Sequence, residues 1–288
     1  MHISFVILHY VAIKDTIKCV ESIINNISYT DYSIILVDNA SPNNTGEELV
    51  NKYKNEEKII VIKNNENLGF AKGNNVGFRY AKYEKKADFI VMINNDTVIE
   101  QKNFCEKLID VYKKEDYYVL GPDIISLCDG GHQNPFKMKF SSEREVKKRI
   151  LVTGIKLILS YIGLESIIRK VFKIDNSPNI RTEKIDHNIY EGVLHGSCLI
   201  FSKNYIKKYD GLYDKTFMYG EEEILFHMCK INCMKYLYSP EITIYHNESS
   251  STKEDFSNKK YKQKIFLYKS KLNSYIKFYR ILNGKEKV

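Results

Sequence analysis

The 288-residue chain has no uncharged apolar run approaching the roughly 18 residues that a bilayer-spanning helix needs. The longest, Met1 to Ile13, starts at the first residue without a basic segment and lacks a small-residue cleavage site. A first strand is expected there, not a signal peptide. There is no CxxC: Cys19, Cys105, Cys128, Cys198, Cys229 and Cys233 are scattered, with no His or Cys partner pair beside the last two. Buried thiols are expected over a zinc site, and reduced cytoplasm is the simplest compartment. Neither the dinucleotide fingerprint GxGxxG nor a P-loop occurs, and no internal repeat stands out. A helix-turn-helix or aromatic reading motif is also missing, so no specific nucleic acid is expected as a partner.

What is present suits a soluble globular protein: 43% hydrophobic and 28% charged residues, on a chain long enough for one large domain or two joined lobes. The net charge of +8 is uneven, with most of the excess in residues 252–288 and a second cluster at Lys147, Lys148 and Arg149. Such clusters suit phosphates on a nucleotide, a lipid headgroup or nucleic acid, although a solvated face is the plainer reading.

The first 125 residues alternate strand and helix. Apolar runs predict strands at 3–10, 33–39, 58–64, 88–94 and 117–124. Helices are expected between them, from Asp15 to Asn26, from the turn at 41–45 through Lys54, up to Tyr83, and from Asn103 to Tyr112. This alternation implies a mainly parallel, three-layer α/β sheet, which binds ligands at the carboxyl ends of its strands. His9-Tyr10, Asp38-Asn39, Asn64-Asn65 and Asn94-Asn95-Asp96 would then share one edge. Beyond Asp129 the pattern dissolves into an irregular loop, then a helix from Ile150 to Phe172 that could lie on a membrane surface or on the protein's own core. A strand at 192–202, short helix at 203–209, helix at 221–231, strand at 235–246 and basic helical tail at 255–282 complete the reading.

Several motifs invite chemistry, each with a bland alternative. Asp38 in LVDNAS could accept the imide hydrogen of a pyrimidine, or open an Asx-turn. Gly69 and Gly73 in NENLGFAKGNNVG flank a helix start whose amides could approach phosphate, or they merely ease helix entry. Glu221, Glu222 and Glu223 crowd another helix start, where like charges raise a pKa toward that of a general base. One or two acids there need no purpose beyond the helix dipole. His246 ends a strand and is as readily structural as a ligand.

Together, in order, ISFVILHY, LVDNAS, NENLGFAKGNNVGFRYA, MINNDTVI and GSCLIFSKNYIKKYDGLYDKTFMYGEEEIL resemble the family 2 glycosyltransferases of GT-A fold, especially a bacterial rhamnosyltransferase-like branch. The resemblance covers roughly residues 3–250 and implies a glycosyltransferase domain at 1–250. Its nucleotide-sugar half would be 1–125, its acceptor half 126–250 with an insertion near 129–190, and a basic tail would follow at 251–288. It implies that Asp38 reads the base beside His9 and Tyr10, and that Asn67, Gly69, Phe70, Gly73, Asn74 and Asn95 adjoin the donor. Asp96 would bind Mn²⁺ or Mg²⁺ together with His246, and Glu222 or Glu221 would act as base.

Two departures stand out: Asn94-Asn95-Asp96 keeps one carboxylate where the family's DxD has two, and Glu222 replaces a commoner Asp. The implied activity is inverting transfer from a UDP- or dTDP-sugar to a hydroxyl of a glycan or lipid-linked acceptor, in surface polysaccharide synthesis. The implied location is cytoplasmic, with peripheral contact to an anionic membrane; the alternative is a non-catalytic nucleotide-sugar-binding or assembly protein.

Overall fold

The computed structural model describes residues 1–139, 141–164, 183–247 and 260–288. Eight strands form one sheet: β1 Ile3–His9, β2 Tyr32–Asp38, β3 Ile59–Lys63, β4 Phe89–Asn94, β5 Thr97–Val98, β6 Val119–Ser126, β7 Cys198–Ser202 and β8 Tyr236–His246. Their spatial order is β3-β2-β1-β4-β7-β6-β8-β5. β3, β2, β1 and β4 run parallel, as do β6 and β8, while β7 is antiparallel to both neighbours and β5 to β8. The helices are α1 Ile13–Asn26, α2 Thr45–Tyr53, α3 Phe70–Tyr83, α4 Phe104–Glu115, α5 Glu143–Tyr161, α6 Lys203–Ile206, α7 Glu221–Ile231 and α8 Lys260–Leu282.

The continuous apolar content of the central strands follows from burial on both faces. In β1, Phe5 and Ile7 join one core layer with α1 and α4, while Val6 points into a second layer with α3 and α7. β2 divides likewise, Ile34 and Leu36 from Ile35 and Val37, and β4 divides Val91 and Ile93 from Ile90 and Met92. Each such side chain, fully buried, stabilises the fold by about 1.5–3 kcal/mol relative to exposure. The mainly parallel three-layer architecture is the expected one.

The second half differs from the sequence reading in several places. α5 starts at Glu143, inside a stretch read as irregular, because Ser142 and Glu145 form a capping box. The Glu145 N–H donates to Ser142 Oγ at 3.3 Å and the Ser142 N–H to Glu145 Oε2 at 2.7 Å, satisfying two orphan donors. α5 ends at Tyr161, and residues 165–172 of the expected helix lie outside the described residues. β7 begins at Cys198 and not at 192, since residues 196–197 turn. α6 stops at Ile206, short of the expected 209. The two-residue β5 had no strand signal of its own; pairing with the end of β8 creates it. α8 is described from Lys260, and positions 255–259 of the expected tail helix lie outside the described residues. α8 packs against α5 and α7 through Val146, Ile224, Phe278 and Ile281.

Candidate active site

Parallel register brings the polar strand ends to one edge, His9 opposite Asp38 and Leu8 opposite Asn94. Most of these groups are engaged with each other. His9 is fully buried, its Nδ1 2.7 Å from Thr16 Oγ1 and its Nε2 2.9 Å from Thr45 Oγ1. Desolvation pushes its pKa down to about 4, against an opposing pull from Asp38. Buried and bonded at both nitrogens, His9 ties the end of β1 to Thr16 of α1 and Thr45 at the start of α2. Asp38 closes the turn onto the residue three further on and not two, as an Asx-turn would: Oδ1 accepts from Ser41 N at 3.2 Å and Ser41 Oγ at 2.6 Å. Its Oδ2 lies over Gly46, where a Cβ would come within 2.2 Å. Tyr10 keeps partial exposure at the same edge.

Asn39, which the motif reading left out, organises the following loop. Its Nδ2 donates to Asn67 Oδ1 at 3.0 Å and Gly69 O at 3.2 Å, while its Oδ1 accepts from Asn64 Nδ2 and Leu68 N. Gly69 has φ +79°, and a Cβ there would stand 2.2 Å from Phe217 O. Phe70 N–H donates to that carbonyl at 2.7 Å, and Gly69 N–H to Asn67 Oδ1 at 2.9 Å. These two amides at the start of α3 therefore meet protein and not phosphate, a correction to the expectation of free amides at Gly69. Gly73 lets α3 approach Leu8 and Asn39. Asn74 bonds back to Phe70 O, whereas Asn75, also overlooked, clasps Leu212 through both its N–H and C=O groups. Asn95 Nδ2 donates to Thr16 Oγ1 at 3.0 Å.

Asp96 and His246 are separated by 149 intervening residues but meet because β5 pairs Thr97 with His246 and Val98 with Tyr245. The Asn247 N–H also donates to Asp96 O at 2.8 Å. Asp96 Oδ1 is buried without a hydrogen bond, and His246 Nε2 lies 3.2 Å away. On the other side of the ring, Nδ1 is 2.9 Å from Gln133 Oε1. If Nδ1 carries the proton given to Gln133, two lone pairs face each other at Asp96, and only a cation or a proton relieves them. Two ligand atoms at right angles around an Mg²⁺ ion lie roughly 3.0 Å apart, so the spacing fits shared coordination. Among the described residues no third His, Cys, Asp or Glu completes a protein-only cage. Water or phosphate oxygens would have to fill the remaining positions.

A chain of contacts joins this pair to the glutamates. The His195 ring meets the His246 ring edge-on at 5.7 Å between centroids. Desolvation, then His246, pushes the His195 pKa down to about 3 against the pull of Asp96. Its Nδ1 accepts from Ser197 N at 3.2 Å, and its own N–H donates to Asn134 Oδ1. Gly196, the next residue, lies against Glu222: a Cβ there would be 2.6 Å from Oε1. His195 had no signal beyond its place in HGSCLIF, and Gln133 had none.

The three glutamates are not equivalent. Glu221 is 4% exposed and accepts from Thr216 Oγ1 at 3.0 Å. Desolvation, then Glu222, pushes its pKa up to about 8. Glu222 retains partial exposure at the mouth of this region, and desolvation raises its pKa against the pull of Lys137 and the Gly196 amide. Glu223 is locked by Lys137 at 3.0 Å, Arg149 at 2.8 Å and the Ser141 hydroxyl. Those partners overcome its burial and hold its pKa low. Arg149 thus faces inward, and Lys147 pairs with Glu143 at 2.9 Å, so the basic cluster offers less free charge than its sequence suggested. The outer face of α5 exposes Leu151, Ile155 and Ile158, and Ile162 is exposed just past its end.

With this geometry in place, comparison with known proteins decides the family. The model of glycosyl transferase family 2 matches residues 4–174, more than half of the chain. The chain belongs to that family. Among curated relatives of this glycosyltransferase-family chain is the low-salt glycan biosynthesis hexosyltransferase Agl10 of Haloferax volcanii, 24% identical over 76% of this chain and 59% of the relative. Another is the glycosyltransferase GlyG of Streptococcus pneumoniae serotype 4, 29% identical over 40% of this chain and 36% of the relative. The chain therefore spans about three-fifths and one-third of these relatives. Among solved structures, S. aureus TarS in complex with UDP superposes with a TM-score of 0.53 at 15% identity, covering 93% of this chain and 65% of that one. At that identity the likeness establishes the shared α/β GT-A fold. No described helix is long and apolar enough to cross a membrane.

Proposed function

We propose that this family 2 chain is an inverting, metal-dependent hexosyltransferase, moving a sugar from a UDP- or dTDP-sugar to a hydroxyl of a glycan or lipid-linked acceptor. The observation that carries the reading is the continuity from Asp96 through His246 and His195 to Gly196 and Glu222, which puts carboxylates on both sides of one short stretch. Asp96 and His246 would hold Mn²⁺ or Mg²⁺. When bound, the cation would stabilise the negative charge of the departing nucleotide diphosphate.

The chain's own residues supply the rest. Glu222, raised in pKa by burial yet still partly exposed, accepts the proton of the acceptor hydroxyl as its oxygen attacks the anomeric carbon. The bond from that carbon to the diphosphate breaks on the opposite face, which inverts the centre. Glu221, bonded to Thr216 and more deeply enclosed, is the poorer base. Asn39 holds the 64–69 loop beside the Asp38 turn, where the nucleotide would lie. The hexosyl assignment draws on the Agl10 likeness, and nothing in the comparisons singles out rhamnose. A cytoplasmic, membrane-peripheral location would use the apolar face of α5; failure to sediment with anionic vesicles at low salt would count against it.

The direct test is nucleotide release from a panel of UDP- and dTDP-sugars, with thermal shifts with and without Mn²⁺. Glu222→Gln should lower turnover by roughly 10²–10⁴-fold while nucleotide affinity stays near wild type. Asp96→Ala should abolish the Mn²⁺-dependent thermal shift as well as transfer. Full turnover by Asp96→Ala would remove the metal assignment, and a loss confined to Glu221→Gln would move the base by one residue.

A further inference from the structure

The end of β8 lies between two flanks, because β6 and β5 pair with it on opposite sides. At His246 the register partner on one side is Ser126 of β6, and on the other it is Thr97 of β5. The two ring nitrogens divide between those flanks. Nε2 lies 3.2 Å from Oδ1 of Asp96, the residue before β5, and Nδ1 lies 2.9 Å from Oε1 of Gln133, beyond the end of β6. Gln133 and His246 are both buried, so water competes poorly for the contact. The position of Gln133 does not depend on that contact alone. The chain turns back after β6, with Ser126 N–H donating to Gly131 O at 2.9 Å and Gln133 N–H to Ile124 O at 2.8 Å. Before Gln133, His132 Nδ1 lies 2.7 Å from Oδ1 of the buried Asp123. After it, Asn134 Nδ2 donates to Pro122 O at 2.7 Å, while its Oδ1 accepts from His195 N–H at 3.0 Å. His132, Gln133 and Asn134 are thus each pinned, in a stretch whose sequence has no regular periodicity.

An amide oxygen only accepts hydrogen bonds, so the contact with Gln133 Oε1 requires the ring proton on Nδ1. A neutral imidazole has one such proton, and Nε2 is then left with a lone pair on the side of Asp96. The Asp96 oxygen it meets is buried and has no hydrogen bond. Without Gln133, the ring could instead put its proton on Nε2 and give it to Asp96, which would close the pair to a cation. We infer that Gln133 is a positioning residue for the cation site: by taking the Nδ1 proton, it keeps Nε2 of His246 open as a ligand. The inference rests on the metal-dependent reading proposed above and adds to it the residue that decides which ring nitrogen is available. Ligating histidines generally give their other N–H to a carboxylate, a carbonyl or water, and loss of that partner weakens metal binding by roughly 10–100-fold. A glutamate at position 133 keeps the acceptor, whereas a leucine removes it.

Two measurements on the full chain test this. The first needs no metal: nitrogen-15 NMR of labelled histidines at about pH 8, where an ordinary imidazole of pKa about 6.5 is neutral, reads which nitrogen of His246 is protonated. Loss of signals in His246→Asn assigns them. A proton on Nδ1 is expected in the wild type and in Gln133→Glu, and a proton on Nε2 in Gln133→Leu. The second follows Mn²⁺ binding by electron paramagnetic resonance, with and without UDP, and UDP binding without metal by calorimetry. Gln133→Leu should weaken Mn²⁺ binding by roughly 10–100-fold, Gln133→Glu should hold it at or above the wild-type level, and metal-free UDP affinity should not change. A proton on Nε2 in the wild type overturns the inference. So does wild-type Mn²⁺ affinity in Gln133→Leu, or an equal loss in Gln133→Glu, which would make the side chain a packing element only. Failure of Mn²⁺ to bind the wild type, with the Nδ1 proton nonetheless in place, would instead sink the metal reading and reduce Gln133 to a structural partner of His246. Thermal midpoints of the metal-free variants check folding; should Gln133→Leu not fold, the wild-type tautomer and the Gln133→Glu affinity still decide.

Discussion

The edge of polar strand ends and the region around α7 and α8 handle polar groups in opposite ways. Along the ends of β1, β2 and β4, His9, Asp38, Asn39, Asn67 and Asn95 bond to one another or to neighbouring hydroxyls and amides. Around α7 and α8, by contrast, Glu221 and Glu222 are raised in pKa and Lys271 is lowered, each by burial that its partners do not offset. A satisfied network costs little to bury and holds one shape. Uncompensated charge costs stability and persists where it has a task. On the proposed reading, the first region would serve as a mould for the nucleotide and the second as the reactive side.

The largest expected effect breaks the reactive side at its seam. Gly196→Ala would set a methyl group 2.6 Å from Glu222 Oε1, so the carboxylate must move. Turnover should fall by roughly 10²-fold with nucleotide affinity retained, as expected for a misplaced base; an unchanged kcat would separate Gly196 from the chemistry. Next, Gly69→Ala tests the mould. A positive φ and the nearby Phe217 carbonyl should together cost about 2 kcal/mol or more in urea unfolding, and nucleotide affinity should drop as well. A fall in kcat with stability and nucleotide affinity unchanged would contradict the contrast between the two regions.

The smallest effect concerns pH. The folded pKa of Glu221 is raised from 4.5 to about 8, so between those values the native state holds a proton that the unfolded chain has released. Its contribution to stability is therefore full below about pH 4.5 and is lost as the pH rises toward 8. Glu221→Gln should raise the melting temperature by an amount that grows from pH 5 to pH 8, by a few degrees in calorimetry (on the order of 2–4 °C per kcal/mol). A difference that shrinks with rising pH would reverse the sign of the burial argument.

Much of the architecture was legible because the central strands bury both faces. Runs such as ISFVILH and FIVMIN can belong only to a strand or a buried helix segment, and their short length between turn residues decides for strand. Four of the five family motifs lie in that same half. Legibility failed where local pattern is overruled by partners far along the chain: the two-residue β5, formed only against β8, and β7, shortened by the turn at Gly196. The start of α5 is a different failure, since Ser142 and Glu145 carry a readable capping box that the irregular stretch before it obscured.

By itself the chain's order of residues determined the alternating sheet, the shared edge of polar strand ends and the crowding of Glu221, Glu222 and Glu223, because each depends on neighbours a few positions away. Tertiary structure alone decided which glutamate is sealed against Thr216, which is tied to Arg149 and which keeps partial exposure. It also decided that Asp96 meets His246. The reason is that charge and proton affinity respond to burial and to partners within a few ångströms, and those partners come from segments as far apart in the chain as Asp96 and His246.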